Sequence, residues 1–378
     1  MHKPLSFFIL LLSLLIVSSC GTSEADVCNP DEILALFADS DGKDSRGNVI
    51  NLDALKASGV ALKAYDAGTA TVYDNIDGNC TWNGSRWSLP GGAHYWPQNG
   101  GALDFYAASS GIASQATRNG LYNMNVPGDR DDIYGIRPGQ TKDTDGGGVH
   151  ILMRHIYSKL KFNFGVDNSS LRLEVRRVSV VNSRNNADYY WSQDTHNSLG
   201  SWQIKNNDQY GRTIYERQQY DGSPLIVNYS DTRQSVPFNA DPFFVMPQPV
   251  QNKRPDITTS YDNGWESIHF PGTGDTYAFV AIDCRVMQYV PLTGSDTQGS
   301  YVAIWPTEGK YSYRNIILPL TDGYNNVTWE QEYAYTYEIR VDEGAGWQPD
   351  GSKVLFTVGL TAVLHGFDDS QKVYPDMQ

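Results

Sequence analysis

The composition and local patterning of the sequence predict a mainly β protein. Its 378 residues include 24 tyrosines, 13 phenylalanines and 9 tryptophans, and aromatic residues favour half-buried strands over helices. Charged residues make up 19% of the chain, and no long segment is rich in alanine, glutamate, lysine and leucine. Instead, short segments of alternating apolar and polar residues are separated by turns containing Gly, Asn and Pro.

The length and the net charge limit the organisation of the chain and its partners. With about 150 residues per domain as a guide, two domains are expected, one at residues 21–165 and one at 166–378. The formal net charge of −14 disfavours a surface that binds nucleic acid or an anionic bilayer, because both of these are polyanions. No nucleic-acid partner is therefore expected.

The first 20 residues read as an export signal. His2 and Lys3 give a positive end, and an apolar run over residues 5–17 follows. This run is shorter than the roughly 20 apolar residues that cross a bilayer, but it suits the core of a signal peptide. Val17-Ser18-Ser19-Cys20 resembles a lipobox, so we expect Cys20 to be acylated and to anchor the chain to a membrane. An ordinary secretory signal is the alternative.

Three further cysteines leave the disulfide state open. Cys28, Cys80 and Cys284 are an odd number at wide spacing, which is neither a disulfide framework nor a metal-binding motif. One pair at most can form.

The first series of elements begins with an apolar segment at residues 33–37, which suits a strand or one helical turn, and a polar loop at 39–48 follows. Alternating patterns then predict short strands at residues 60–66, 70–73, 82–89, 103–107, 121–126 and 133–136. The longest regular stretch is predicted at residues 149–166.

Two arrangements suggest metal ligands, but neither fits a site. In the loop at 39–48, Lys43 takes the fifth position of a calcium loop and Ile50 the twelfth, where oxygen ligands are required. His150 and His155 are five residues apart, which places them on opposite faces of a strand. We expect no metal or cofactor, and we expect His155 to be a hydrogen-bonded residue beside the core.

A second series of strands is predicted at residues 171–181, 201–204, 243–246, 277–286, 301–305, 315–318, 333–341 and 354–363. Two long polar stretches, 182–198 and 247–274, are predicted as loops. Because long loops are often functional, we expect contact surfaces there.

Tyr189, Tyr190 and Trp191 form a run of aromatic residues within the first of these loops. Three adjacent aromatic side chains in a loop cannot all face one core, so this run is a candidate platform for stacking sugar rings. The alternative is packing over a domain junction.

Motifs for catalysis are not evident in the sequence. It contains no nucleophile elbow, no HExxH, no Cys-His pair and no phosphate loop. A carboxylate pair for glycoside hydrolysis stays open, because its two acids can lie far apart in sequence. We expect a protein that is not an enzyme.

Several aromatic motifs occur in order along the chain. Tyr95-Trp96-Pro97 precedes a Gly-containing turn and a strand with the sequence Leu-Asp-Phe-Tyr-Ala at 103–107. Further motifs are Asp-Ile-Tyr at 132–134, the segment containing His155, Ser158 and Lys159, Phe-Val-Met-Pro-Gln at 244–248, and Trp329 followed by Tyr-Ala-Tyr-Thr-Tyr-Glu-Ile at 333–339. In type and order these motifs resemble those of the fimbrillin-like (Mfa-like) family of Gram-negative anaerobes, and the resemblance covers most of the chain.

This resemblance implies two tandem transthyretin-like β-sandwich domains in an outer-membrane lipoprotein of a kind that is often assembled into fimbriae. In polymerising relatives, a protease cuts the loop after the first strand, and a strand from a neighbouring subunit fills the groove that is left. The corresponding candidate cleavage site is Arg46, with residues 33–37 removed; an uncut loop is the alternative.

The sequence after Val363 departs from the pattern of a stalk subunit. It is short, acidic and nearly free of the alternating apolar residues that a donor strand needs. The sequence therefore favours a tip subunit, an anchor subunit or a non-polymerising surface protein over a stalk subunit. The leading hypothesis is a lipid-anchored fimbrial subunit or fimbria-associated adhesin, with other subunits or a host or bacterial surface ligand as partners. A non-polymerising glycan-binding surface lipoprotein is the alternative.

Overall fold

The computed structural model describes residues 35–40, 50, 52–92, 94–144, 148–205, 212–219, 222–232, 234–238, 241–251, 253, 257–269, 277–291, 299–306, 312–321, 326–342 and 357–366. Within these residues the chain is built almost entirely of strands, which confirms the mainly β class. No helix among them is long and apolar enough to span a membrane.

Among the described residues up to 155, the elements are two short helices, α1 (Leu52–Ser58) and α2 (Ser110–Ala113), and eight strands. The strands are β1 (Ala35–Ser40), β2 (Val60–Asp66), β3 (Val72–Trp82), β4 (Trp87–Ser88), β5 (Leu103–Ala108), β6 (Gly120–Asn125), β7 (Ile133–Gln140) and β8 (Gly148–His155).

The elements that the structure describes after residue 155 are all strands. They are β9 (Ser158–Val166), β10 (Leu171–Arg184), β11 (Asn186–Tyr190), β12 (Ser201–Ile204), β13 (Arg212–Gln218), β14 (Leu225–Asn228), β15 (Val236–Pro237), β16 (Phe243–Val245), β17 (Pro249–Val250), β18 (Thr258–Asp262), β19 (Trp265–His269), β20 (Phe279–Val290), β21 (Ser300–Trp305), β22 (Arg314–Pro319), β23 (Val327–Thr328), β24 (Tyr333–Asp342) and β25 (Thr357–Gly366).

A seven-stranded sheet holds the first core. Its strand order is β1-β8-β7-β5-β2-β3-β4, and it curls so that β1 at one edge approaches β4 at the other. Its core contains Leu62, Trp96, Phe105 and Ile151, all buried. Trp96 contacts Phe105 edge to face with ring centroids 6.3 Å apart, so the two aromatic residues pack against each other in this core.

Two further sheets enclose the second core. One has the order β13-β10-β20-β21, with β14 beside β10 and β22 beside β20, and the other has the order β15-β9-β24-β25, with β16 beside β9. Alternate residues of β9, β10, β20 and β24 point between these sheets, among them Phe162, Val178, Ile282 and Tyr337. The arrangement of sheet over sheet resembles a sandwich, while the transthyretin-like layout of two domains stays a prediction.

A three-stranded sheet, β12-β11-β6, joins the early and late parts of the chain. β11 pairs with β6 in antiparallel fashion, with Tyr189 opposite Leu121. A third core cluster lies here and includes Ile112, Tyr134 and Phe244. The chain after residue 166 therefore returns to contact the part before residue 165, while the division into domains at 165/166 stays a prediction.

The predicted continuous stretch at 149–166 is wrong in one respect, because the structure breaks it between β8 and β9. Ile156 donates its backbone N–H to the Asp132 carbonyl oxygen, and Tyr157 is fully buried in the third core cluster. Two consecutive buried residues leave the strand alternation, so the chain passes from the seven-stranded sheet into a different one.

The two long loops predicted at 182–198 and 247–274 are also corrected. The first contains β11, where Ala187 and Tyr189 are buried and Asp188, between them, is polar. The second contains the hairpin β18–β19, which turns at Asn263 and Gly264 with positive φ angles of 48° and 83°. An Asn-Gly pair is the residue combination that such a two-residue hairpin turn favours.

Candidate functional site

The candidate site is the outer edge of the seven-stranded sheet, where β1 lies beside β8. The two strands are parallel, and their register runs from Ala35 opposite Gly148 to Ser40 opposite Met153. β1 is the last strand of the sheet at this edge. On β8, Val149, Ile151 and Met153 are buried in the first core, so one face of this strand forms part of that core.

On its opposite side, β8 pairs with its other neighbour, β7, through a short ladder. The register covers Ile133 opposite His155 and Tyr134 opposite Arg154. Residues 194–197, which follow β11, bridge the two strands beyond this ladder, and we call them the wedge. The fully buried Thr195 bonds to β7 through Ile136 and to β8 through Leu152.

A buried polar pair lies at the end of β8. His155 Nδ1 is 2.7 Å from Asp131 Oδ2, and the two side chains are 3% and 0% exposed. A carboxylate only accepts hydrogen bonds, so Nδ1 carries the proton. The same carboxylate oxygen accepts the Ile50 N–H at 3.0 Å. The prediction that His155 is a hydrogen-bonded residue beside the core is confirmed.

Asp132 forms a second buried network next to this pair. Its carboxylate accepts hydrogen bonds from the hydroxyls of Ser109, at 3.2 Å, and Tyr157, at 3.0 Å. Arg130 forms an ion pair with it at 3.4 Å. Burial raises the pKa of Asp132 to about 6, and the Arg130 charge and the Tyr157 bond oppose this rise. Burial also raises the pKa of Tyr157 well above its ordinary value.

These acids and the histidine belong to the interior of the protein. Asp131, Asp132 and His155 are each no more than 2% exposed, so a substrate cannot reach them in this conformation. Among the described residues, no group of three or more His, Cys, Asp or Glu side chains is arranged to hold a metal ion. His150 is exposed and His155 is buried, as their odd separation on one strand predicts.

The predicted aromatic platform is divided between core and surface. Tyr189 is fully buried, and its hydroxyl bonds to the side-chain amide of Gln331, so Tyr189 is not available for stacking and this part of the prediction is corrected. Tyr189 is buried because it lies on strand β11, where alternate side chains point into the core.

The other two members of the run are half-buried. Trp191 stacks on Tyr134 at a centroid distance of 4.5 Å and donates its indole N–H to the Thr117 carbonyl oxygen at 2.7 Å. Tyr190 contacts Tyr122 edge to face. A stacking role for Tyr190 and Trp191 stays a prediction.

Several predicted residues lie outside the described part of the chain. These are the lipidation residue Cys20, the candidate cleavage residue Arg46, and Cys28. Cys80 and Cys284 are described, and both are buried free thiols in different cores. A disulfide between these two is therefore excluded.

Asp131, Ile50 and Thr195 are parts of this edge that the local sequence pattern does not reveal. Asp131 and Asp132 stand together just before a predicted strand, which is a weak signal for buried acids. Thr195 lies in a polar run with no signal of its own, because its partners Ile136 and Leu152 are far away in sequence.

Comparisons with known proteins bear on this fold. A model of the fimbrillin-like family matches residues 46–362. A fimbrial protein from Bacteroides vulgatus has a similar fold, with a TM-score of 0.52 and 13% sequence identity over 89% of this chain and 100% of that chain. A C-terminally truncated form of the tip fimbrial protein Mfa3 from Porphyromonas gingivalis aligns with a TM-score of 0.36 and 11% identity over 87% of this chain and 98% of that chain. No curated protein matches the chain.

Proposed function

The chain belongs to the fimbrillin-like family, and from this premise we propose that it is a fimbrial subunit or a fimbria-associated adhesin. In this role it acts through shape and surface contacts with other subunits or with a host or bacterial surface ligand. The fold is consistent with such a role, because its acids and its histidine at the candidate site are buried and already paired within the protein.

The position of β1 is the observation that carries the proposal. β1 lies at the edge of its sheet and contacts β8 through a parallel ladder of six residue pairs. The loop that contains Arg46 follows β1 in the sequence. If a protease cuts after Arg46 and β1 leaves, the backbone groups of β8 that paired with it become free. A strand from a neighbouring subunit can then add to this edge.

We place the protein at the outer membrane through an acyl anchor on Cys20. The apolar run at 5–17 and the residues Val17-Ser18-Ser19 before the cysteine support this placement. Growth with an alkyne-tagged fatty acid should label the wild-type chain and leave Cys20→Ala unlabelled. Label on the Cys20→Ala variant would contradict an anchor at this residue.

Protease-dependent assembly tests the proposal. The wild-type chain, exported and treated with an arginine-specific protease, should form polymers that electron microscopy detects. The Arg46→Ala variant should remain monomeric under the same treatment. Lys43→Ala is the matched control, because it removes a cation from the same polar loop without removing the arginine. Polymers in equal yield from Arg46→Ala would contradict cleavage at this site.

A further inference from the structure

We infer that the wedge, residues 194–197, holds β8 in place as an acceptor strand when β1 is absent, with Thr195 as the positioning residue. This inference rests on the proposed function, which requires β1 to leave. It assigns a role to a segment whose sequence predicted only a polar loop.

The hydrogen bonds of Thr195 are the first step of the argument. A hydroxyl has a single proton, and the shortest contact of Thr195 Oγ1 is with the Leu152 carbonyl oxygen, at 2.7 Å. The same oxygen accepts the Ile136 N–H at 3.0 Å, and the Thr195 N–H donates to the Ile136 carbonyl oxygen at 3.1 Å. One buried residue therefore bridges the backbones of β7 and β8 where their own ladder has ended.

The neighbours of Thr195 extend this contact along β8. His196 Nε2 lies 3.2 Å from the Leu152 backbone nitrogen and 3.0 Å from the His150 carbonyl oxygen. Arg154 donates its Nε–H to the Thr195 carbonyl oxygen at 2.9 Å. The wedge thus reaches the backbone of β8 at His150 and Leu152, which are two residues apart and therefore on the same side of the strand. The side chain of Arg154 adds a third contact.

The wedge itself is held in a fixed shape. Asp194 Oδ1 accepts the His196 backbone N–H, and Asp194 Oδ2 accepts a bond from the Asn197 side chain, each at 2.9 Å. Arg137 on β7 forms an ion pair with Asp194 at 3.4 Å. A wedge that is preorganised in this way loses little conformational entropy when it supports β8.

When β1 is removed, β8 keeps the contacts on its other side, with the wedge and with β7. The register pairs at Gly148 to Met153 all belong to the β1 side, and those with β7 are limited to Arg154 and His155. Among the residues that the structure describes, the backbone of β8 at 150–152 is then bonded laterally to the wedge. We therefore expect the Thr195 hydroxyl to matter much more without β1 than with it.

Hydrogen exchange in the full chain tests this difference. A recognition sequence for a site-specific protease replaces residues 44–48, so that cutting does not depend on Arg46, and the released fragment is separated in mild urea. Mass spectrometry then follows exchange at residues 148–155 in cut and uncut chains. Thr195→Val removes the hydroxyl with little change of shape, and Thr195→Ser retains it. Thr336→Val is the matched control, because it makes the same change at a buried residue of another sheet.

In the cut chain, we expect exchange at 148–155 to be about tenfold faster in Thr195→Val than in wild type, because a buried bond is lost and two partners are left without it. Thr195→Ser should restore slow exchange, and the uncut chains should differ by less than about twofold. Equal exchange in the cut chains, or equal acceleration in cut and uncut chains, would overturn the inference. Polymer formation is scored separately, so a wild-type chain that is cut but does not polymerise would contradict strand addition at this edge, while exchange still decides the role of Thr195.

Discussion

The Nδ1 atom of His155, the last residue of β8, lies 2.7 Å from Oδ2 of Asp131 in the interior of the protein. That oxygen also accepts the N–H of Ile50 at 3.0 Å. Ile50 comes four residues after Arg46 in the sequence. The buried pair therefore ties the end of the candidate acceptor strand to the chain just beyond the proposed cleavage site, and it would retain this segment after a cut.

Loss of the Asp131 carboxylate should destabilise the protein strongly. In Asp131→Ala, the His155 N–H and the Ile50 N–H lose their acceptor, and a buried donor without a partner is costly. We expect the free energy of unfolding to fall by about 3 kcal/mol, measured by urea denaturation. Asp77→Ala is the control, because the Asp77–Lys63 ion pair is exposed and should contribute roughly 0.5 kcal/mol or less. Equal losses in the two variants would contradict the assigned role of Asp131.

Tyr189 and Tyr190 should differ sharply when each is truncated. Tyr189→Ala creates a cavity in the third core cluster and removes the bond to Gln331, so the free energy of unfolding should fall by about 4 kcal/mol. Tyr190→Ala should cost roughly 1 kcal/mol or less, because this side chain is half-buried. Thermal and urea denaturation of the two variants provide the measurement. A larger loss for Tyr190→Ala would show that β11 has the opposite orientation.

Because the pKa of Asp132 is raised in the folded protein, the contribution of this residue to stability depends on pH. The folded protein holds this proton up to about pH 6, whereas the unfolded chain releases it near pH 4. Between these values the folded state binds more protons, so the contribution of Asp132 to stability falls as the pH rises. Asp132→Asn lacks this titration.

The measurement is the difference in unfolding free energy between Asp132→Asn and wild type across the same pH range. We expect the variant to gain roughly 2 kcal/mol on wild type between pH 4 and pH 7. A difference that stays constant with pH would show that Asp132 has no raised pKa in the folded state.

Individual strands were largely predictable from the sequence. The segment at 60–66 alternates apolar and polar residues and forms β2 over the same residues, and the segment at 201–204 forms β12. Period-two alternation is a local property, because it reflects only which residues of a strand face the core. The family resemblance, carried by Tyr95-Trp96-Pro97 and the motifs after it, is likewise confirmed by the family match.

Contacts between distant segments were not predictable. The break between β8 and β9 depends on bonds from Ile156 and Tyr157 to Asp132, and the wedge depends on bonds between Thr195 and strands far from it in sequence. No local pattern encodes which backbone groups remain free for such bonds. The hairpin at 258–269 is a different case, because its Asn263-Gly264 pair is a local turn signal that the sequence itself contains.

The fate of β1 on assembly tests the central claim most directly. Polymers formed by the wild-type chain can be purified, dissociated and analysed by intact-mass and peptide mass spectrometry. The account predicts subunits that begin at Gly47 and contain no peptide from residues 35–40. Polymers whose subunits retain residues 35–40 would contradict it, because β8 would then still be paired with its own β1.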